Sequence, residues 1–276
     1  MGLNDVYAKN QAAHDPEKGA TDRLARVHGA GELQAALLAL ILPRGSRRAA
    51  RAWAIETADT PNRAGLREHA ANLSGAARLP WFERLLARMA LQPIAARQGL
   101  LKAMRRIMGA RGVVRPIDRL HWLRMRRGLG EVPALVARPE ADGDVAEWLE
   151  TDVLALAVYT AFLSRMVAED LEDESAGPRW YESVMEQWAP NSAPPPFDVP
   201  NAENVFEALA RLQTLSWMQR PVVIRCWVAA ALKANGGVRF GSATADALRL
   251  TCTLLDSPMA PDLARHYIVL PADDAK

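Results

Sequence analysis

Residues 79–130 read LPWFERLLARMALQPIAARQGLLKAMRRIMGARGVVRPIDRLHWLRMRRGLG, and this stretch decides the fold. Apolar residues recur in it at helical spacing in three blocks, which predicts three consecutive helices. Pro93 and Pro116 stand where the second and third helices would begin, a position that proline favours. We predict that Gly109 and Gly112 end the second helix, because glycine readily adopts the left-handed conformation of helix ends. The stretch therefore predicts a helical hairpin closed around a glycine turn.

The same plan returns near the end of the chain, in residues 206–258. An apolar helix stops at Asn235-Gly236-Gly237, and a leucine-rich helix follows. Gly112 and Gly237 are each followed by Val, which indicates two related multi-helix modules. Apart from residues 238–240 the chain has almost no run of alternating apolar and polar residues, so the predicted class is all-α.

Composition suggests where the domain boundaries lie. Residues 1–30 are polar, with few apolar anchors, and are predicted to be a flexible N-terminal arm. A basic helical module is expected over residues 31–138 and an acidic helical module over residues 144–270, joined by the Pro- and Gly-bearing connector 131–143. Within the acidic module, the Pro-rich residues near 190–200 predict a stiff linker.

The net charge of +2 conceals a strong polarity along the chain. Residues 1–138 hold 24 Lys and Arg against 11 Asp and Glu, a net charge of +13, and residues 139–276 hold 10 against 21, a net charge of −11. A chain polarised in this way can bind an anionic partner through one half, or associate with itself head to tail.

The sequence lacks the motifs that are typical of several classes of enzyme. It contains no His-Glu-x-x-His, no Gly-rich phosphate loop and no nucleophile elbow, and its five His are scattered. Cys226 and Cys252 stand in apolar periodic runs, which is typical of reduced core residues. The longest apolar runs, 33–43 and 153–168, fall short of the ~20 residues of a membrane-spanning helix. We therefore expect no catalytic residue, metal, cofactor or transmembrane segment, and a cytoplasmic location.

The basic residues of segment 84–127 form the candidate binding surface, because 12 Lys and Arg stand there against one acid, Asp118. A solvated outer face of an Arg-rich protein gives the same pattern, and only five basic residues of the whole chain are Lys. The predicted residues for an anionic partner are Lys102, Arg105, Arg106, Arg111, Arg115, Arg119, Arg124, Arg126 and Arg127. The predicted structural turns are Gly109, Gly112, Gly236 and Gly237.

Two segments carry a resemblance to a known family: LQTLSWMQRPVVIRCWVAAALKANGGV (212–238) and LRLTCTLLDSPMAP (248–261). They resemble the end of the cytosolic C-terminal region of bacterial membrane zinc metallopeptidases of the heat-shock membrane protease type. That region resembles a TerB-like helical module, with an Ala-Asp-Gly-x-Val turn, a later acidic residue and a Pro-x-x-Pro tail. Residues 78–89 and 108–123 are similar to an earlier copy of the module, and residues 33–53 to the segment before it.

The sequence departs from this pattern at the acidic positions. The turn Asp of the family falls on Arg111 in the first copy and on Asn235 in the second, and only the first copy has the later acid, at Asp118. A hard cation needs several oxygen ligands. The resemblance therefore implies two TerB-like helical bundles without a metal site, and the peptidase part of the family has no counterpart here.

These observations lead to two main functional hypotheses. The first is a non-catalytic helical interaction or regulatory module, acting on a protein partner or at the cytosolic face of the inner membrane in association with a membrane peptidase-like system. The alternative is nucleic-acid binding through the basic helices of Lys102–Arg127, which predicts a steep loss of affinity with salt. A third is an enzyme whose site is assembled from distant residues. The resemblance favours protein or lipid over nucleic acid.

Overall fold

The structure is a computed structural model, and it describes residues 16–131, 148–188, 194–237 and 239–268. Every regular element in these residues is a helix, which confirms the all-α class. The helices are α1 (Pro16–Ala25), α2 (Ala30–Ile41), α3 (Arg47–Glu56), α4 (Arg63–Asn72), α5 (Gly75–Ala90), α6 (Ile94–Ala110), α7 (Pro116–Gly128), α8 (Glu150–Leu171), α9 (Ala176–Met185), α10 (Ala202–Leu212), α11 (Gln219–Ala234), α12 (Ser242–Leu254) and α13 (Pro261–His266).

The described residues divide into two compact units, 16–114 with 128–131 and 115–127 with the residues after 147. Helix α7 up to Arg127 therefore belongs to the second unit, whereas the sequence placed it in the basic module 31–138. The described part of the first unit holds 17 Lys and Arg against 8 Asp and Glu, a net charge of +9. That of the second unit holds 14 against 16, a net charge of −2. The charge polarity thus differs from the one expected from the two halves of the sequence.

Helix α2 forms the centre of the first unit. Its sequence AGELQAALLALI is apolar on nearly every side, and 8 of its 12 residues are buried. Helices α4 and α5 pack against it, α1 packs on α4, and α3 packs on α6. Ser46 caps α3 by accepting a hydrogen bond from the backbone N–H of Ala49 at 3.3 Å. A helix that is apolar on nearly every side must be surrounded by other helices, and these neighbours cover it here.

Helix α1 lies where the sequence predicted a flexible arm over residues 1–30; residues 1–15 of that arm lie outside the described residues. Ala20 and Leu24 of α1 are buried. The carboxylate of Glu17 accepts hydrogen bonds from the backbone N–H of Ser74 at 3.2 Å and from its hydroxyl at 2.7 Å. Long-range contacts of this kind order a segment whose local sequence has few apolar anchors.

Two further details of the first unit differ from the sequence prediction. Helix α5 begins at Gly75 rather than near Leu79, because Ser74 accepts a hydrogen bond from the backbone N–H of Ala77 and caps the helix earlier. The helical spacing of Ile94, Leu101, Met104 and Met108 predicts an inner stripe on α6. Ile94, the first residue of that helix, is instead 64% exposed.

Helix α8 is the centre of the second unit, and α9, α10, α11 and α12 pack against it. Twelve of its residues are buried. Two polar pairs are enclosed in this core: Tyr159 and Thr251 join their hydroxyls at 3.0 Å, and the indole N–H of Trp227 donates to Thr160 at 2.9 Å. In these two pairs each buried polar group has a partner, as stability requires. Asn201 caps α10 by accepting a hydrogen bond from the backbone N–H of Asn204 at 2.9 Å.

Helix α8 is also, within the described residues, the one helix long and apolar enough to cross a membrane. Of the 18-residue apolar segment of α8, 67% is buried inside the protein. The central helix of a helical bundle has the same length and composition.

Residues 194–200, the described part of the predicted Pro-rich linker, have no regular secondary structure. The hydroxyl of Tyr181 on α9 donates to the carbonyl of Pro195 at 2.6 Å, and its ring lies edge-on to Phe197. This segment therefore packs on α9. Residues 189–193 and nearly all of the connector 131–143 lie outside the described residues.

Candidate functional site: an arginine-lined cavity

The nine predicted basic residues are divided between the two units. Lys102, Arg105 and Arg106 are exposed on α6, in the first unit together with Arg111. Arg106 forms a two-bonded ion pair with Glu56 of α3, and this hydrogen bonding raises the pKa of Arg106. The members on α6 therefore form an exposed basic face that is partly neutralised.

The remaining members lie in the second unit and are half-buried rather than exposed: Arg115, Arg119, Arg124, Arg126 and Arg127. The guanidinium of Arg115 pairs at 3.0 Å with Asp118, whose side chain is fully buried. Arg127 donates to the carbonyls of Thr253 and Leu254 and pairs with Asp256. Arg115 and Arg127 therefore have structural roles inside the second unit.

The predicted glycine turns are positioned as follows. Gly112, Gly236 and Gly237 have φ values of +79°, +74° and +81°, in the left-handed region that favours glycine. Gly109 lies inside the last turn of α6, so it does not break that helix.

The acidic positions of the family pattern are also occupied by local contacts. Asp118 accepts from the backbone N–H of Arg115 at 3.0 Å in addition to pairing with its guanidinium. Asn235 donates through its side-chain amide to the carbonyl of Arg239 at 2.7 Å. Within the described residues, no group of three or more His, Cys, Asp and Glu is arranged to hold a metal ion.

Arginine has a recurrent structural task in this fold, which is to cap helix C-termini. The last carbonyls of a helix have no intrahelical donor, and a cation also compensates the negative end of the helix dipole. Arg78 donates to the carbonyls of Ala39, Leu40 and Leu42 at the end of α2, at 3.3, 2.6 and 3.3 Å. The other arginines with this role are Arg63 at α3, Arg44 at α4, Arg88 at α1, and Arg127 and Arg220 at α12.

A cavity of about 380 Å³ opens in the first unit where α2 ends and α3 begins. Its charged lining is made of four arginines from three helices and one turn: Arg44, Arg47, Arg67 and Arg78. We call it the arginine cavity. The uncharged residues of its lining have small and mostly apolar side chains, of which Leu42 is the largest. Since no lining residue is acidic, the cavity has a concentrated positive charge.

Three of these guanidinium groups are exposed and have donors to spare. Arg44 uses one nitrogen on the carbonyl of Leu73 at 3.0 Å, and Arg67 lies 5.9 Å from the ring centre of Trp53. Arg47 has no hydrogen bond or ion pair to any described residue. Arg78, held by the carbonyls it caps, contributes a fixed positive charge at the wall.

The first turn of α3 adds to the positive electrostatic potential of the arginine cavity. Ser46 and Arg47 line the cavity, so the N-terminal end of α3 borders it. The first backbone N–H groups of a helix have no intrahelical acceptor, and the helix dipole makes that end positive. Guanidinium groups and free amides at one helix start are the arrangement that proteins use to bind oxyanions.

The sequence does not predict this cavity. Its basic residues span positions 44–78 and come from separate elements, so no local pattern joins them. The one local signal was the segment Pro43–Arg48, PRGSRR, which places three arginines around a helix cap. By itself this segment predicts only a helix start, with Ser46 as the N-cap.

Comparison with known proteins adds no assignment. No protein-family model matches the sequence. A search of curated proteins and a search of solved structures likewise give no significant match.

Proposed function

We propose that this chain is a non-catalytic helical interaction module whose basic first unit binds an anionic partner. We favour an anionic membrane surface on the cytosolic side as that partner, with an acidic protein surface as the other possibility. The observation that carries the proposal is the arginine cavity, with four arginines and no acidic residue in its lining. The net charge of +9 on the described part of the same unit supports it, because such a field attracts anionic surfaces at a distance.

The suggested association with a membrane peptidase-like system rests on the sequence resemblance alone and remains part of the proposal. The alternative of nucleic-acid binding through Lys102–Arg127 has less support. Three of its nine basic residues are engaged in ion pairs with Glu56, Asp118 and Asp256. An ion pair compensates the charge that a contact with a phosphate would use.

The proposal is tested by co-sedimentation of the full chain with vesicles of phosphatidylcholine alone or with phosphatidylglycerol, at low and at physiological salt. We expect binding to the anionic vesicles only, and weaker binding at higher salt, because salt screens surface charges beyond about 8 Å at 0.15 M. A duplex DNA fragment serves as the comparison. Equal sedimentation with both vesicle types would refute the proposal, and retention of DNA at physiological salt would favour the alternative.

A further inference from the structure

We propose that the arginine cavity is a site for a phosphomonoester, that is, a dianionic phosphoryl group carried on a compact and weakly polar body. This inference rests on the proposed function and specifies the chemistry of the anion. It starts from the three guanidinium groups of Arg44, Arg47 and Arg67, which have no carboxylate partner among the described residues. A monoanion would leave most of that charge uncompensated, whereas a dianion matches it more closely.

Tetrahedral oxyanions fit the geometry of these donors. The planar fork of arginine donates two parallel hydrogen bonds to the oxygens of a phosphoryl group. The start of α3 offers backbone amides to a third oxygen. The hydroxyl of Ser46 accepts a hydrogen bond from the backbone N–H of Ala49 and so stabilises the start of α3. This bond leaves the backbone N–H groups before Ala49 in the first turn for a ligand.

The size of the cavity indicates that the ligand is larger than a bare anion. Its volume of about 380 Å³ is roughly tenfold the ~30 Å³ that one water molecule occupies. It lies at the lower end of the ~300–1,000 Å³ typical of small-molecule sites. The uncharged wall, with Leu42, Pro43 and Ala50, offers contact but almost no hydrogen bonds, so it suits a short and weakly polar body.

Such a group can come from a free metabolite or from a lipid headgroup, and the experiment distinguishes them. Calorimetric titration of the full chain with glycerol 3-phosphate tests the free form, with inorganic phosphate as the bare anion. Vesicles with phosphatidic acid, a monoester, are compared with vesicles of equal phosphatidylglycerol content, a diester. Stronger sedimentation with phosphatidic acid, reversed by excess glycerol 3-phosphate, assigns the lipid source. Binding of glycerol 3-phosphate without a preference between the vesicles assigns the free source. Either outcome supports the monoester site.

Paired variants locate the site. Arg47→Gln with Arg67→Gln removes two charges inside the cavity. Arg26→Gln with Arg51→Gln removes two exposed charges of the same unit outside it. We expect the first pair to weaken glycerol 3-phosphate at least about tenfold, because charge-assisted hydrogen bonds are the strong ones. The second pair should change it by less than about twofold, since exposed charges act weakly.

The charge state of the ligand gives a further test. The second pKa of a phosphomonoester is about 6, so its dianion rises roughly fourfold in population between pH 5.5 and 7.5. Affinity should rise by that factor, whereas sulfate, a dianion at both pH values, should show no change. Arginine stays charged throughout. Glu68 and His69 on α4 are the nearest titratable residues in sequence to Arg67, and neither lines the cavity. An equal change for sulfate would trace the effect to the protein and count against the inference.

The inference and the proposed function can fail separately. In one outcome the chain binds both kinds of anionic vesicle, and the two paired variants weaken this binding equally. This result would overturn the phosphomonoester site and leave the proposed function standing. The absence of binding to any anionic vesicle and to glycerol 3-phosphate would overturn both the phosphomonoester site and the membrane surface as the favoured partner.

Discussion

Replacing Gly241 by alanine should destabilise the second unit far more than an ordinary glycine substitution. Gly241 precedes α12 and has φ −67° and ψ 154°, a conformation that any residue adopts. The obstacle is Asp170 of α8, whose carboxylate accepts from the backbone N–H groups of Ala243 at 3.0 Å and Thr244 at 2.7 Å. A Cβ at Gly241 would lie 2.1 Å from the Cγ and 2.3 Å from the Cβ of Asp170.

The magnitude follows from these distances. Rotation of the Asp170 side chain would move its Cγ away but not its Cβ, whose position the backbone fixes. The substitution therefore displaces the backbone and removes the cap on α12 at once. Loss of a cap costs about 0.5–2 kcal/mol, and overpacking about 1–3 kcal/mol. We expect a total of about 2–5 kcal/mol in the free energy of unfolding.

The chain provides a matched control in Gly29, which precedes α2 with φ −68° and ψ 144° and would meet nothing within 4 Å. Gly29→Ala should cost less than about 1 kcal/mol, because alanine is only a poorer N-cap. Urea unfolding followed by circular dichroism measures both. In an Asp170→Gly background, which removes the clashing atoms, Gly241→Ala should cost no more than Gly29→Ala. Equal costs for the two alanine variants in the wild-type background would refute the reasoning.

Three further predictions concern single side chains. Trp227→Phe leaves the buried hydroxyl of Thr160 without its donor and should cost about 1–3 kcal/mol in urea unfolding, whereas a cost below ~0.5 kcal/mol would contradict the buried bond. Burial lowers the pKa of His266 in the folded protein, although the nearby charge of Asp170 opposes this shift. As the pH falls below about 6.5, the unfolded chain therefore binds a proton at this residue before the folded chain does. Stability should therefore rise with pH from the lowered value to about 6.5, and His266→Gln should abolish that part of the pH profile. Burial raises the pKa of the Cys226 thiol, so Ellman's reagent at pH 8 should react with it only after unfolding; rapid reaction of the native protein would show that it is accessible.

Much of the local structure could be predicted from the sequence because local interactions decide it. The apolar run of α2, the caps at Ser46 and Asn201, and the turn at Gly236-Gly237 follow from residue type and spacing. Helix α1 could not be predicted, since its order depends on burial and on a contact between residues 57 positions apart, Glu17 and Ser74.

The assignment of α7 to the second unit and the arginine cavity could not be predicted from the sequence either, because both depend on contacts between distant residues. The charge pattern and the Pro- and Gly-bearing connector placed a boundary at 131–143, but packing places α7 in the second unit. The cavity combines a turn with residues of four helices. Tertiary packing brings these segments together against the entropy cost of closing the loops between them, and local periodicity does not show this packing. Arg67 and Arg47 are 20 positions apart and share no sequence pattern.

Capping of helix ends distinguishes two kinds of arginine in this protein. A guanidinium has five donors in a rigid plane, so one side chain such as Arg78 can serve several carbonyls at a helix end, whereas an ammonium is a compact point charge. Arginines used in this way carry charge but have few donors left for a partner. Counting basic residues along the chain therefore overstates the binding surface. The arginines available to a ligand are those, such as Arg47 and Arg67, whose donors no helix end consumes, and both line the same cavity.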